Sequence, residues 1–207
     1  MTEQPIPPQP GQVTAVILSG GRSQRMAGED KGWVELNDEP FIEHTLKRLG
    51  RQTDNIMISA NRSLDRYQQL GIKVVTDQHS DFPGPLAGMY AALTEMETDW
   101  LLTVPCDTPL FPNDLLQRFI SELSENPNRI AVASDGKYLQ PVFCLIHRSL
   151  ADNLKNFLDS DGHKTGLWIR QQKPLEVVFA DGDRQFININ TLAELQDFIA
   201  SQDNSHE

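Results

Sequence analysis

The chain has 207 residues and is short of cysteine, of positive charge and of long apolar runs, and each shortage closes a class of function. Its two cysteines, Cys106 and Cys144, cannot build a disulfide framework or a four-cysteine zinc site, so both read as reduced, structural residues. Lysine and arginine number 18 against 29 aspartate and glutamate, a net charge of -11, which argues against broad docking on nucleic-acid phosphates or anionic lipid. An anionic substrate therefore needs a local basic pocket. No stretch approaches the roughly 18 apolar residues that span a bilayer, and no basic residue precedes Arg22. A membrane span and a secretory leader are thus not expected, and a cytoplasmic location is the default. His44, His79, His147, His163 and His206 lack zinc-ligand spacing and no G-x-S-x-G elbow occurs, which removes zinc-site and serine-hydrolase readings.

What is present suffices for one real core: apolar residues make up 39%, or about 45% with the 13 glycines, at the lower edge of the globular range. Pro5, Pro7, Pro8 and Pro10 predict a disordered tail over 1–12, with a single domain over 13–200 and a polar tail over 201–207. Strands are expected at 13–19, 55–59, 73–76, 100–104, 130–134, 141–146, near 175–179 and at 186–189. Helical spacing predicts helices over 41–51, 63–70, 85–96, 112–124, 149–159 and 165–172, with a last one capped by Thr191. This alternation predicts an α/β fold: three layers, Rossmann-like, with a mostly parallel central sheet and right-handed crossovers. Ligands of such sheets sit beyond the carboxyl ends of the strands, which selects four loops.

The first, Leu18 to Lys31, is glycine-rich and carries Arg22, Arg25 and Lys31. Gly20 and Gly21 allow backbone N–H groups to approach phosphate oxygens, and the cations neutralise charge. It matches neither G-x-x-x-x-G-K-[ST] nor G-x-G-x-x-G, and a turn with purely geometric glycines explains the same pair. The second, Pro105-Cys106-Asp107-Thr108-Pro109, puts Asp107 at the sheet's carboxyl edge, as a Mg²⁺ ligand or as an Asx-turn or cap. The third holds Asp77 and then Gly84, Pro85 and Gly88, where close ligand approach and a plain loop-to-helix transition fit equally well. The fourth places Asn188 and Asn190 on one side of a continuing strand, or else Asn190 helps begin the last helix.

Four runs taken together resemble the ordered signature of the molybdenum cofactor guanylyltransferase family: Leu18-Ser19-Gly20-Gly21-x-Ser23-x-Arg25-Met26-x-Gly28-x-Asp30-Lys31, Pro83-Gly84-Pro85-Leu86-Ala87-Gly88, Pro105-Cys106-Asp107-Thr108-Pro109 and Asn188-Ile189-Asn190-Thr191. The resemblance implies a nucleotidyltransferase fold and transfer of GMP from GTP to the terminal phosphate of molybdopterin-bound molybdenum cofactor, with Mg²⁺ as cofactor and pyrophosphate as product. It implies transient protein partners in cofactor delivery and no nucleic acid or membrane. By the same resemblance Leu18, Ser19, Gly20, Gly21, Lys31, Ser59, Asn61, Asp77 and Asp107 bind the nucleotide, and Asp107 holds the metal. Arg25, Gly84, Pro85, Gly88, Lys164, Asn188 and Asn190 lie toward the pterin, and Arg25, Lys31 and Asp107 serve catalysis. The chain departs from the family at Ser59-Ala60-Asn61, where Asn-x-Asn is frequent, and at His163-Lys164, where some members carry paired arginines. The competing expectations are a cytidylyltransferase, a sugar-phosphate nucleotidyltransferase and a non-catalytic cofactor or nucleotide binder.

Overall fold

The computed structural model describes residues 5–20, 30–77, 84–179 and 185–203. In the Pro-rich segment, residues 5–9 have no regular structure and Pro10–Gln12 form one 3-10 turn, with proline first, where a missing N–H costs nothing. The chain then enters β1 (Val13–Leu18), whose six residues are all buried, as a strand covered on both faces requires. Further on, a 3-10 turn at Lys31–Trp33 leads into a hairpin of β2 (Glu35–Leu36) and β3 (Glu39–Pro40). Strands this short carry no hydrophobic period, so the sequence pattern does not announce them. Asn37 and Asp38 turn the hairpin with φ of 54° and 61°, a conformation these side chains tolerate.

Regular alternation follows: α1 (Phe41–Leu49), β4 (Ile56–Ser59), α2 (Leu64–Gln68), β5 (Lys73–Val75), α3 (Pro85–Glu95), β6 (Trp100–Pro105), α4 (Leu115–Glu125), β7 (Ile130–Ser134), β8 (Leu139–His147), α5 (Ala151–Asp159), α6 (Thr165–Gln171), β9 (Leu175–Val178) and α7 (Leu192–Asp203). These agree with the predicted elements to within a few residues at their ends. The exception is 186–189, which is not a strand. Two of its apolar residues pack from a loop instead: Phe186 lies 5.0 Å from the Phe143 ring and 5.7 Å from Phe179, and Ile189 is fully buried, while Ile187 is exposed.

The main sheet has the order β5-β4-β1-β6-β8-β7-β9, parallel throughout except for β8, which runs against both neighbours. A tight turn between β7 and β8 dictates that reversal. There the Asp135 carboxylate accepts from the Lys137 and Tyr138 amides at 2.8 and 2.7 Å, and Gly136 adopts φ 88°.

Side chains alternate across the sheet. From β1, Val13, Ala15 and Ile17 join Ile42 and Leu49 of α1, Tyr67 of α2 and Phe119 of α4, while Val16 and Leu18 join Met89 of α3, Leu154 of α5 and Trp168 of α6. Two faces are thereby covered by helices, giving three layers. A third, smaller cluster gathers Val34, Leu36, Phe41, Ile189, Leu195 and Phe198, tying the hairpin to α7 and to the segment before it.

Helix α3 crosses the ends of β1 and β4 closely enough that position 88 must be glycine: a Cβ there would lie 2.5 Å from Ser59 Oγ and 2.9 Å from Leu18 Cδ2. Gly88→Ala gains about 1 kcal/mol of helix propensity but overpacks this crossing by about 1–3 kcal/mol. We expect a lower urea midpoint with an unchanged m-value; a midpoint at or above that of the parent protein would contradict the close approach.

Candidate active site

Strands β1 and β6 pair in register up to Leu18 and Pro105, so the segments leaving both strands begin side by side. From β1 the chain travels outward through β4 and β5 and then returns to β6 on the opposite side. The gap beyond Leu18 and Pro105 is therefore the topological switch point, where such sheets bind ligands. Backbone bonds seal its floor: the Cys106 amide donates to Leu18 O at 3.2 Å and the Ser19 amide to Ser59 O at 2.8 Å.

Asp107, Lys31 and Asn190 meet there. Lys31 Nζ donates to Asp107 Oδ2 at 2.8 Å and to Asn190 Oδ1 at 2.7 Å. The ammonium is about a quarter exposed, and the Asp107 side chain less so, at 13%. Asp107 Oδ1 is buried and accepts no hydrogen bond, so neither an Asx-turn nor a cap explains this carboxylate. Among the described residues no group of three His, Cys, Asp or Glu converges as a metal cage. A hard divalent ion that keeps one or two protein carboxylates and takes its other ligands from phosphate and water fits this donor set.

Four bonds steady the Asp107 loop. The Ile189 amide donates to Asp107 O at 2.9 Å, and Thr108 Oγ1 donates to Asn188 Oδ1 at 2.5 Å. Arg48, on α1, donates to Phe111 O at 2.7 Å and Asn113 Oδ1 at 2.9 Å. Asn190 also serves the last helix: its amide and that of Thr191 donate to Glu194 Oε2 at 2.6 and 3.0 Å, and the Glu194 amide returns a bond to Thr191 Oγ1 at 3.1 Å. This reciprocal box leaves the Asn190 side chain free to reach Lys31. Burial, reinforced by the neighbouring Asp107, pushes the Cys106 thiol far above its usual range, so it is no nucleophile at neutral pH. Burial likewise pushes Cys144 up to about 12, and both cysteines are free and buried.

The remaining sequence-predicted residues divide into two groups. On the β4–β5 side, Asn61 Nδ2 donates to Asp77 Oδ2 at 2.7 Å and the Asp77 amide donates to Asn61 Oδ1 at 3.0 Å. Gly20 lies alongside, its missing Cβ 3.8 Å from Asn61 Nδ2. Ser59 is buried under Gly88, where its hydroxyl fills the crossing described above. On the other side, Gly84 caps α3 with φ 156° and ψ 169°, a conformation reserved for glycine, and Pro85 opens the helix. The segment before α6 approaches it, with His163 O 3.9 Å from the position a Gly84 Cβ would take, and this sets exposed Lys164 near the start of α3. Gly21 and Arg25 lie outside the described residues. Sequence reasoning missed Arg48 and Tyr67, because a half-buried arginine and a core tyrosine at helical spacing carry no signal of their own.

Against known proteins, the MobA-like NTP transferase domain matches residues 15–177. A molybdenum cofactor guanylyltransferase of Shewanella putrefaciens is 47% identical over 193 residues, spanning 93% of this chain and 99% of that protein. Among solved structures, molybdopterin-guanine dinucleotide biosynthesis protein A of Archaeoglobus fulgidus superposes with a TM-score of 0.73 at 20% identity, covering 92% of this chain and 99% of that one. A 4-diphosphocytidyl-2C-methyl-D-erythritol synthase of Anaerococcus prevotii superposes with a TM-score of 0.70 at 14% identity, covering 93% and 96% of the two chains. At such identities the superpositions show the shared fold.

The bond from Thr108 to Asn188 holds the segment before α7 against the Asp107 loop. Thr108→Val keeps the volume and removes the donor, which costs about 0.5–1.5 kcal/mol. We expect the Ile189 amide to exchange with solvent faster in this variant, read by hydrogen exchange. Unchanged protection at Ile189 would mean that the segment is held by its apolar cluster alone.

Proposed function

The chain belongs to the molybdenum cofactor guanylyltransferase family, within the MobA-like NTP transferases, and from that membership we propose that it transfers GMP from GTP to the terminal phosphate of molybdopterin-bound molybdenum cofactor. One observation carries the chemistry: a buried carboxylate with an unpaired oxygen, Asp107, stands beside Lys31 at the switch point of the sheet. In this reading residues 13–200 form the catalytic domain. No helix among the described residues is long and apolar enough to cross a membrane, and we place the reaction in the cytoplasm, with transient protein partners delivering and receiving the cofactor.

An oxygen of the acceptor's phosphate attacks the α-phosphorus of GTP in line; the new P–O bond forms as the bond to the β-phosphate oxygen breaks and pyrophosphate leaves. The attacking oxygen is already anionic, so no protein base or nucleophile is needed, and positioning and charge stabilisation supply the rate. Asp107 would hold Mg²⁺, which supplies positive charge to the triphosphate and its transition state. Lys31, freed from Asp107 when phosphate arrives, meets the triphosphate oxygens. Leu18, Ser19, Gly20 and Gly21 line the nucleotide through backbone groups, and Asn61 and Asp77 present amide and carboxylate edges to the nucleoside, with Ser59 beneath. Gly84, Pro85, Lys164, Asn188 and Asn190 face the pterin side, where Arg25 adds charge, and Gly88 keeps α3 close against Ser59 and Leu18.

Purified protein supplied with molybdenum cofactor, Mg²⁺ and each of GTP, CTP, UTP and ATP is expected to give a guanine dinucleotide by mass and an equal amount of pyrophosphate. A cytidine product would overturn the base assignment and keep the mechanism; no product from an acceptor that a control enzyme uses would overturn both. Asp107→Ala is expected to abolish pyrophosphate release while leaving thermal unfolding near that of the parent, as should chelation of the metal. Near-normal turnover of that variant in saturating Mg²⁺ would sink the metal role. Lys31→Ala removes a charge-assisted contact of about 1.5–3 kcal/mol, so GTP binding should weaken by at least about tenfold. An unaltered GTP titration and rate would remove Lys31 from the site.

A further inference from the structure

Lys31 is the only cation that the described residues bring to Asp107, yet its side chain is long and flexible and it stands in a 3-10 turn of three residues. Something must fix the root of that side chain if its ammonium is to sit reproducibly in the site. The neighbouring Asp30 provides one link: its Oδ1 accepts from the Gly32 amide at 3.2 Å, capping the turn. The same oxygen accepts from the Tyr67 hydroxyl at 2.7 Å, which ties the turn to α2 across 37 residues of sequence.

Tyr67 is built into this place. It is fully buried, its ring lies 5.1 Å from that of Trp33, and the Arg66 guanidinium covers the Trp33 ring at 4.0 Å. Gly32 admits the phenol, because any Cβ at that position would collide with the Tyr67 hydroxyl. Burial, with Cys106 and Asp30 nearby, pushes the phenol far above its usual range, so it stays protonated and donates. Helix α2 joins β4 to β5, the strands that carry Ser59 and lead to Asn61 and Asp77. The latch therefore joins the nucleoside side of the site to the lysine.

We propose that Tyr67 and Asp30 are positioning residues for nucleotidyl transfer, the phenol holding the Asp30 carboxylate and the carboxylate holding the turn that aims Lys31 at the triphosphate. This assignment rests on the transferase reading given above. It does not require either residue to touch substrate: Tyr67 acts through Asp30, and Asp30 through the backbone of Lys31 and Gly32.

Tyr67→Phe keeps the ring and deletes only the donor. Its kcat/KM for GTP should fall about tenfold, the scale of one lost bond to a charged group, and its thermal unfolding should drop by only several degrees, leaving the chain folded at assay temperature. In a Lys31→Ala background the same change should cost nothing further, because the lysine it serves is gone. The Gly32 amide should exchange faster in Tyr67→Phe, and Asp30→Asn, which keeps an acceptor oxygen, should retain more activity than Asp30→Ala. An equal loss in both backgrounds would show a general packing role, and parental exchange and turnover in Tyr67→Phe would show no role; either outcome overturns the proposal. A parent protein with no transfer activity would instead sink the transferase reading, and exchange at Gly32 would then decide whether the latch exists.

Discussion

Everything at the site descends from the parallel pairing of β1 with β6. Two strands that end together, at Leu18 and Pro105, release their following segments at one point, where the chain's direction across the sheet changes. Hydrogen-bonded backbone forms the floor and fixes it. A carboxylate placed two residues beyond β6 is then held at a defined height above the sheet. Its backbone carbonyl is fixed by the Ile189 amide, and one carboxylate oxygen has no partner among the described residues. Burying such an oxygen costs free energy, so its persistence points to a partner from outside the chain.

The second constraint is apolar. Lys31 and Asn190 are 159 residues apart in sequence, and no sheet ladder joins their segments. They meet because Val34 and Leu36, just after Lys31, share one buried cluster with Ile189, just before Asn190. Leu195 and Phe198 of α7 complete that cluster, and the box formed by Thr191 and Glu194 fixes where the helix starts. Hydrophobic burial thus sets a polar geometry accurate enough for hydrogen bonds of 2.7 and 2.8 Å. The C-terminal part of the chain is part of the site for this reason and is not an appendage to the sheet.

The helices and most strands were legible in the sequence because each buries a periodic stripe, as with Ile42, Thr45 and Leu49 of α1 or Leu115, Phe119 and Leu123 of α4. The segment 186–189 reads as a strand by the same rule, yet Phe186 and Ile189 pack from a loop and Ile187 is exposed, which alternation alone cannot distinguish from pairing. The β2–β3 hairpin is too short for any period, and the direction of β8 depends on a turn rather than on composition. At the site, motif order identified Lys31, Asp107 and Asn190, but their convergence was not legible, since it depends on the third cluster. Gly88 shows the opposite case: a glycine beside a ligand loop suggests ligand approach, and the structure gives it a packing duty against Ser59 and Leu18. Tyr67 was invisible because a core tyrosine and a tyrosine that anchors a lysine look alike in one dimension.

The charge balance of the site sharpens what the substrates must bring. Under the proposed reaction a chain of net charge -11 would have to draw together two anionic partners, and the one described cation beside Asp107 is already neutralised by it. The pair is therefore nearly neutral as it stands, and repulsion between a triphosphate and a phosphate monoester would not be relieved by exchanging one carboxylate for another. Under that reaction net attraction would need positive charge added at Asp107, which would hold a divalent ion; the ion would supply that charge and lessen the carboxylate's hold on Lys31. On this account the metal and the lysine would not be independent contributors: phosphate would draw Lys31 off a carboxylate whose charge the ion already balances, and a lysine held in place by the turn behind it could change partner without changing position.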